Sequence, residues 1–284
     1  MITFYPTISR GELGKYCTVP RMLLVASSFA AEEVRKYGRV RGAVAVPVLP
    51  PCAVDVAADC GGFVATFRWG DYRYTAEQYV AWLSAWKPSW AAMMDYCCED
   101  EITTGQPGIV RERQDKTTAM AHLFWERWHD APWVWVPTIQ GWTVADYERH
   151  AVEMRPLIDI MRAHYGPDSA FRVGVGTLCH RASVEMIRAV VRSVHDILDN
   201  PLHLWGVKLS ILKSPIPLPQ SVISVDSAAW NGLWGNGRNL WKETGMTQRQ
   251  WRFETALPRY EGKLRRALAL PKQYTPLWES EAAL

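Results

Sequence analysis

The stretch Val56-Ala57-Ala58-Asp59-Cys60-Gly61-Gly62-Phe63 has the composition of a buried strand that ends in a sharp turn. Small apolar residues lead to the carboxylate of Asp59, and two glycines then allow backbone conformations that other residues avoid. The aromatic side chain of Phe63 follows directly. Such a strand end presents an acid and a ring face to a flat ligand. For this stretch alone, an alternative stays open: Asp59 caps the next segment and the glycines only turn the chain.

Apolar runs of this kind alternate with helical patterns along the chain, and no Gly/Ser-rich linker separates them. This alternation is typical of parallel β/α units in one domain. Eight runs qualify as strands, and they begin at Met22, Gly42, Val56, Trp90, Trp133, Phe171, His203 and Val222. Eight units predict an α/β fold of the (β/α)8 TIM-barrel type, with its chemistry at the C-terminal strand ends. An open doubly wound sheet is the alternative, but no glycine-rich nucleotide fingerprint follows any strand.

The predicted domain organisation is a single TIM-barrel domain over residues 1–284, with the barrel over about 20–232. A basic and aromatic helical extension covers about 235–284, where a helix runs from Trp241 to about Leu270 and is interrupted at Pro258. Capping residues mark three helix starts within the barrel, namely Thr75, Thr143 with Asp146, and Ser183.

Composition limits the class of protein. A chain of 284 residues with 48% hydrophobic content is long enough to bury one substantial core. No apolar run is long enough to span a bilayer, and Met1 to Arg10 lack a secretory signal pattern, which predicts a soluble cytoplasmic protein with no membrane partner. The six cysteines show no C-x-x-C spacing, which favours free thiols over a zinc site.

Charge is concentrated near the C-terminus. The formal net charge is only +3, but from Gly235 onward nine Lys and Arg stand against five Glu. Trp234, Trp241, Trp251 and Tyr260 lie among these cations. The pattern fits a surface for a phosphate backbone and equally fits a solvated amphipathic helix.

Polar residues or a glycine follow five of the predicted strands: Asp59, Asp95, Gln140, Gly176 and Asp226. In a barrel these positions face one mouth. Carboxylates and an amide suit the edge of a purine-like heterocycle, a bare glycine lets a main-chain N–H approach the ring, and Phe63 can stack on it. The acids also permit acid/base or covalent chemistry at a sugar anomeric carbon. Each acid alone is equally consistent with a helix-capping role.

These residues carry a family resemblance. Asp59-Cys60-Gly61-Gly62-Phe63 resembles the Asp-Ser-Gly-Gly-Phe/Tyr signature of tRNA-guanine transglycosylases, which are (β/α)8 barrels. The other four motifs resemble, in the same order, that family's base-recognition strand, Val-Gln-Gly motif, glycine strand and nucleophile strand: Met93-Met94-Asp95-Tyr96, Ile139-Gln140-Gly141, Val175-Gly176-Thr177-Leu178 and Ser224-Val225-Asp226-Ser227.

The resemblance implies base exchange without ATP. Asp226 is then the nucleophile at C1′ of a guanosine nucleotide, and Asp59 is the general acid/base. The base-binding residues that it implies are Phe63, Asp95, Gln140, Gly176 and Thr177.

The chain also departs from that family. No cysteine or histidine follows His203, so the family's C-terminal zinc site is missing in its usual form. Cys60 replaces the usual serine, and Ala228-Ala229-Trp230-Asn231-Gly232 replaces an arginine-rich loop. The chain therefore looks like the zinc-less DpdA-type enzymes that place 7-deazaguanines such as preQ0 into DNA. This predicts a glycosyltransferase with no cofactor and no metal, with a 7-deazaguanine base as co-substrate.

DNA is the predicted macromolecular partner. The segment Arg111–Thr118 is a candidate backbone-contacting loop, with a charged helix start as the alternative, and Trp69, Tyr72 and Trp230 are candidate wedges for an extruded base. The predicted nucleic-acid-binding residues are Arg111, Arg113, Lys116, Arg238 and Lys242. The same exchange on tRNA, and a catalytically silent barrel that binds nucleic acid or a partner subunit, are the alternatives. A homodimer or a partner protein also stays open.

Overall fold

The computed structural model describes residues 2–14, 17–167, 169–179, 181, 183–214, 216–231, 241–242 and 244–269. Nine strands form one sheet, and every neighbouring pair is parallel. They are β1 Thr3–Ile8, β2 Arg21–Val25, β3 Asp55–Asp59, β4 Trp90–Ala92, β5 Val134–Val136, β6 Thr138–Ile139, β7 Val173–Val175, β8 Leu202–Leu204 and β9 Val222–Ser227.

The sheet order β5-β4-β3-β2-β1-β9-β8-β7-β6 confirms the predicted barrel. Its two ends, β5 and β6, are consecutive in sequence and separated only by Pro137, so they occupy one barrel position and bring the sheet close to closure. The C-terminal ends of all strands consequently lie at one mouth.

One predicted strand was wrong and one strand was missed. The run from Gly42 to Leu49 contains no strand. It lies across α3 (Ala76–Trp86), where the Trp82 indole N–H donates to the Ala45 carbonyl at 3.0 Å. The missed strand is β1, which Pro6 interrupts in sequence. Pro6 lies where the pairing of β1 passes from β9 to β2, a position at which a residue without an N–H is tolerated.

Ten α-helices are described: α1 Ala26–Tyr37, α2 Gly62–Trp69, α3 Ala76–Trp86, α4 Asp100–Thr103, α5 Pro107–Trp128, α6 Val144–Tyr165, α7 Val184–Leu198, α8 Leu209–Lys213, α9 Gln248–Trp251 and α10 Leu257–Ala269. The three predicted caps are confirmed. Thr75, Thr143 and Ser183 each accept a hydrogen bond from the backbone N–H three residues later.

The C-terminal helix differs from its prediction. The predicted start at Trp241 lies in a 3-10 turn, and the continuous helical segment begins at Gln248. Pro258 does not end that segment, because a π-turn over Arg252–Ala256 precedes it and places the proline in the first turn of α10.

The barrel interior is filled by side chains, with Tyr5, Leu23, Ala57, Trp90 and Val136 forming one buried cluster. A larger core packs the helices against the outside of the sheet. Because side chains fill the barrel interior, a ligand can bind only at the mouth formed by the strand ends. Within the described part of the chain, none of the helices has both the length and the apolarity needed to cross a membrane.

Candidate active site

The strand ends bring the predicted acids and the amide to one mouth. Asp59 ends β3, Asp226 lies in β9, and Gln140 directly follows β6. Asp95 lies three residues beyond β4, and the Gln140 Nε2 donates to its Oδ2 at 2.6 Å. Positions that are 45 residues apart in sequence are therefore in direct contact.

Asp95 is held by several donors at once. Its Oδ1 accepts from the Cys60 thiol at 3.1 Å, and its carbonyl accepts from the Tyr72 hydroxyl at 2.8 Å. Burial raises the pKa of Asp95, although the hydrogen bonds from Cys60 and Gln140 act in the opposite direction. A half-buried carboxyl with preset donors is suited to a fixed hydrogen bond with a polar ligand.

Both glycines after Asp59 are required by the local geometry. Gly61 has a φ of +78°, and a Cβ there would lie 2.5 Å from the Ser27 Oγ. A Cβ on Gly62 would lie 2.5 Å from the Asp95 Oδ1 and 2.8 Å from the Tyr72 hydroxyl. The second glycine thus lets the start of α2 approach Asp95 closely.

Asp59 has the environment of an acid/base group. Its Oδ1 accepts the Gly61 N–H at 2.8 Å, so the residue also forms the turn that was the alternative reading of the motif. Burial, with smaller contributions from the negative charges of Asp95 and Asp226, raises its pKa to about 7. Near neutral pH this carboxyl is therefore able to give and to take a proton.

Asp226 is fixed by one donor from β1 and one from the turn that follows β8. It is 6% exposed, and its Oδ2 accepts from the Thr7 hydroxyl at 2.8 Å. Its Oδ1 accepts from the Gly206 backbone N–H at 2.7 Å. These donors orient the carboxylate in the way that a carboxylate nucleophile requires.

A buried polar chain lies behind Asp226. The His203 Nε2 lies 3.4 Å from the Asp226 Oδ1, and the His203 Nδ1 lies 2.9 Å from the Ser224 Oγ, to which Arg172 donates at 2.9 Å. Burial lowers the pKa of His203 despite the opposing effect of Asp226, which favours a neutral imidazole. A neutral ring that accepts the Ser224 hydroxyl proton at Nδ1 carries its own proton on Nε2, the nitrogen 3.4 Å from Asp226.

The sequence did not single out Thr7 or His203 as site residues. Thr7 belongs to β1, which the sequence does not predict because it contains Pro6. The sequence predicts His203 only as the start of a strand. The only sequence signal for His203 is the alternation of inward and outward side chains along a strand. In the structure His203 lies on β8, its side chain points into the barrel, and it is 0% exposed.

Gln140 and Thr177 form a buried hydrogen-bonded pair. The Thr177 Oγ1 donates to the Gln140 Oε1 at 2.6 Å and accepts from the Cys98 N–H at 2.8 Å. Thr177 adopts a φ of +54°, a conformation that a β-branched residue holds only when its surroundings impose it. This pair shapes the wall of the mouth behind Asp95.

Gly176 serves a different purpose from the one predicted. Its N–H donates to the Ile139 carbonyl at 2.9 Å, so this main-chain donor is not free for a ring edge. Its carbonyl accepts from the Tyr147 hydroxyl at 2.7 Å. A Cβ at this position would collide with the Gln140 side chain, so the glycine makes room for that amide.

Two further residues border the mouth. Phe63 lies in the first turn of α2, half-buried, and stacks on Phe67 with the ring centroids 5.4 Å apart. Glu99, which no sequence motif marks, is 2% exposed and contacts Thr177 and Cys179 at 3.4 Å each. Burial raises the pKa of Glu99, as it does for Asp59 and Asp95.

The predicted backbone-contacting loop is helical. Residues Arg111–Thr118 lie within α5, the alternative that the sequence had left open. Arg113 is buried and donates to the Cys97 carbonyl and to the Thr66 hydroxyl, so its guanidinium does not reach a phosphate. Its positive charge instead opposes the rise in the pKa of Asp95.

The other predicted cations differ in their availability. Arg111 forms ion pairs with Asp115 and Glu153, and Lys116 forms one with Glu112. Lys242 is exposed. Arg238 lies outside the described residues.

Two of the three candidate wedges have structural roles. Trp230 is 2% exposed and its indole N–H donates to the Thr7 carbonyl at 3.1 Å. The Tyr72 hydroxyl bonds to Asp95, while Trp69 is half-buried and packs edge-on against Tyr74.

Among the described residues, no group of three or more His, Cys, Asp or Glu side chains is arranged to hold a metal ion.

Comparison with known proteins gives the chain a family. No curated protein matches the sequence. A family model described as DpdA, deoxypurine in DNA protein A, matches residues 24–239. The match runs from β2 to beyond β9 and includes every strand end that contributes a carboxylate to the mouth. With most of its length covered by that model, the chain belongs to the DpdA family.

Proposed function

We propose that this chain is a transglycosylase that replaces guanine in DNA with a 7-deazaguanine base of the preQ0 type. Membership of the DpdA family supports a DNA-modifying transferase. The observation that carries the finer proposal is the pairing of two carboxyls in different environments at one mouth. Asp226 is fixed by two strong donors, while the pKa of Asp59 is raised to about 7. Carboxyls with separated environments are the usual basis for a nucleophile and an acid/base.

In the first half of the reaction, an Asp226 oxygen attacks C1′ of the target deoxyguanosine. A C1′–O ester bond forms as the C1′–N9 bond breaks, and the electron pair of that bond leaves with guanine. Protonated Asp59 gives its proton to the departing base. Both bonds at C1′ are partly broken or formed in a transition state with oxocarbenium character.

In the second half, N9 of the incoming 7-deazaguanine attacks C1′ and the ester bond breaks, which returns the carboxylate of Asp226. The N9 proton passes to Asp59, which is then ready for another cycle. Two displacements at one carbon retain the configuration at C1′. Because one glycosidic bond replaces another, the cycle requires no ATP, cofactor or metal.

In this proposal the heterocycle lies over Asp95. Asp95 accepts from ring or exocyclic N–H groups, and Phe63 stacks on the ring. Gln140 holds Asp95 in place, and Thr177 and Gly176 in turn position the Gln140 amide. The polar groups of these three residues are already hydrogen-bonded to one another, to Asp95 or to the sheet. We place this activity in one domain of a cytoplasmic protein whose other substrate is DNA.

Isotope incorporation tests the proposal. The protein is incubated with labelled preQ0 and either guanine-containing duplex DNA or tRNA, and Asp226→Asn is the matched control. We expect label in DNA after incubation with the wild-type protein and no label after incubation with Asp226→Asn. Label in tRNA alone replaces DNA with tRNA as the substrate, and label in neither supports a barrel that only binds nucleic acid or a partner subunit.

A further inference from the structure

A concave surface shares the Tyr72 side chain with the candidate active site. It is a cleft of about 660 Å³, and its lining includes Arg39, Arg41, Tyr72 and Arg73. We call it the arginine cleft after its three arginines. Arg39 and Arg41 follow the end of α1, and Arg73 lies in the connection between α2 and α3.

The charges in the arginine cleft are not neutralised. Among the described residues, Arg39, Arg41 and Arg73 form no ion pair with a carboxylate. Arg41 lies over the Tyr37 ring at 4.3 Å, and Arg73 donates to the Trp69 carbonyl at 2.5 Å. This differs from Arg111 and Lys116, whose charges are paired with acids.

Two acids accept backbone N–H groups of residues that line the cleft. Glu33 accepts the Arg41 N–H at 3.0 Å, and Asp71 accepts the Tyr72 N–H at 2.7 Å. Among the described residues, neither of these acids forms an ion pair with an arginine of the cleft.

Backbone contacts fix the two arginine-bearing segments to each other. The Val40 N–H donates to the Arg73 carbonyl at 2.8 Å, and Gln78 donates to the Gly42 carbonyl at 2.7 Å. Thr75, which caps the N-terminus of α3, also lines the cleft. The positive end of that helix dipole adds to the potential of the guanidinium groups.

One side chain connects the arginine cleft with the candidate active site. Tyr72 lines the cleft, while its hydroxyl donates to the Asp95 carbonyl at 2.8 Å and lies 3.2 Å from the Cys60 thiol. A polyanion in the cleft would therefore contact the same side chain whose hydroxyl donates to Asp95.

We propose that the arginine cleft binds the phosphodiester backbone of the DNA strand, next to the nucleotide whose base enters the site. The inference rests on the proposed function for its substrate. Planar guanidinium groups recognise phosphates through paired hydrogen bonds, and three of them in a shared concavity fit a run of consecutive phosphates. The cleft replaces Arg111–Thr118 as the segment that positions DNA at the mouth.

DNA binding in the absence of any base tests this assignment. The variant R39Q/R41Q/R73Q is compared with R155Q/R162Q/R192Q, which removes the same charge from exposed positions on α6 and α7. Affinity for a fluorescent duplex is measured by anisotropy over a series of salt concentrations. Loss of three phosphate contacts should weaken binding roughly 10- to 100-fold at low salt and reduce the slope of log K against log salt by about 3.

The control variant should stay within about threefold of the wild type, because a diffuse charge effect is small and screened. R39K/R41K/R73K should restore most of the salt slope. Equal weakening in the two glutamine variants, or unchanged binding by R39Q/R41Q/R73Q, would overturn the proposal. Circular dichroism and thermal melting confirm that each variant is folded.

The outcome is separable from that of the proposed function. If the cleft variant loses DNA affinity while the wild type incorporates no preQ0, only the base-exchange proposal fails. If the wild type exchanges bases and the cleft variant binds and exchanges equally well, only the cleft proposal fails.

Discussion

At the scale of single residues, Asp226 is the position where a minimal change has the largest expected effect. Asn can still accept the Gly206 N–H and contact the Thr7 hydroxyl, so Asp226→Asn should fold normally. Its amide is not a nucleophile, and exchange should fall by at least about 10⁴-fold. The measurement is single-turnover incorporation of labelled base, with a denaturing gel to detect a covalent protein–DNA adduct. Full activity in the variant would remove Asp226 as the nucleophile.

The raised pKa of Asp59 predicts a change in the rate profile. In the wild type, kcat/KM should change slope near pH 7, the pH at which this carboxyl titrates in the folded protein. Asp59→Asn should lose that inflection and slow exchange by about 10²- to 10⁴-fold. A wild-type profile that is flat around pH 7 would contradict the acid/base role.

The same pKa predicts an effect on stability. Its value rises from 3.8 to about 7 in the folded protein, so the folded state binds more protons between these pH values. Stability is therefore lost as pH rises through this window, and the full penalty is present above pH 7. Asp59→Asn should melt above the wild type at pH 8 and close to it at pH 4. A ΔΔG of 1 kcal/mol corresponds to roughly 2–4 °C in Tm for a chain of this size.

His203 is expected to position Asp226 rather than to react. His203→Gln should lower kcat about 10- to 100-fold by letting the carboxylate rotate, with KM for DNA unchanged. Ser224→Ala removes the partner of Nδ1 and should cause a smaller loss of the same kind. If kcat and KM change by the same factor, or if the loss of activity is fully explained by a lower Tm, His203 has only a structural role.

At the scale of elements, the approach of α2 to Asp95 depends on one missing side chain. Gly62→Ala places a methyl group against the Asp95 carboxylate and the Tyr72 hydroxyl, which should cost about 1–3 kcal/mol of stability and reduce base affinity. Gly108→Ala is the control. Gly108 lies in α5 with open space around its Cβ position, so alanine there should stabilise by about 0.5–1 kcal/mol. Urea unfolding of both variants makes the comparison, and a neutral effect at Gly62 would contradict the packing argument.

Elements were predictable where their signals are local. The caps at Thr75, Thr143 and Ser183 depend on hydrogen bonds over three residues, and all three helices begin where expected. Gly42–Leu49 has a strand-like composition, but Val46 and Val48 are 52% and 85% exposed and the run never pairs with the sheet. Pro6 is unfavourable within a strand, yet Thr3–Ile8 forms β1 of the sheet. In both cases pairing with distant strands, which local sequence does not encode, decided the outcome.

At the scale of the whole molecule, parallel strand order turns distant motifs into one site. Thr7 and Asp226 are 219 residues apart and share a hydrogen bond because β1 and β9 are neighbours in the barrel. The same closure buries His203 behind Asp226. A barrel that is opened at the β1–β9 seam would lose the Thr7 hydrogen bond to the proposed nucleophile, while Gly206 and His203 would stay beside it through the β8–β9 pairing.

By itself, the sequence determined the barrel, the order of its acidic strand ends and the sharp turn after Asp59, because strand composition and backbone conformation depend on neighbouring residues. Only the tertiary structure decided which donors each acid receives and which cations remain unpaired. It gave Asp59 its raised pKa, buried Arg113 and left the arginine cleft charged, since burial and ion pairing depend on residues that meet only after the barrel has closed.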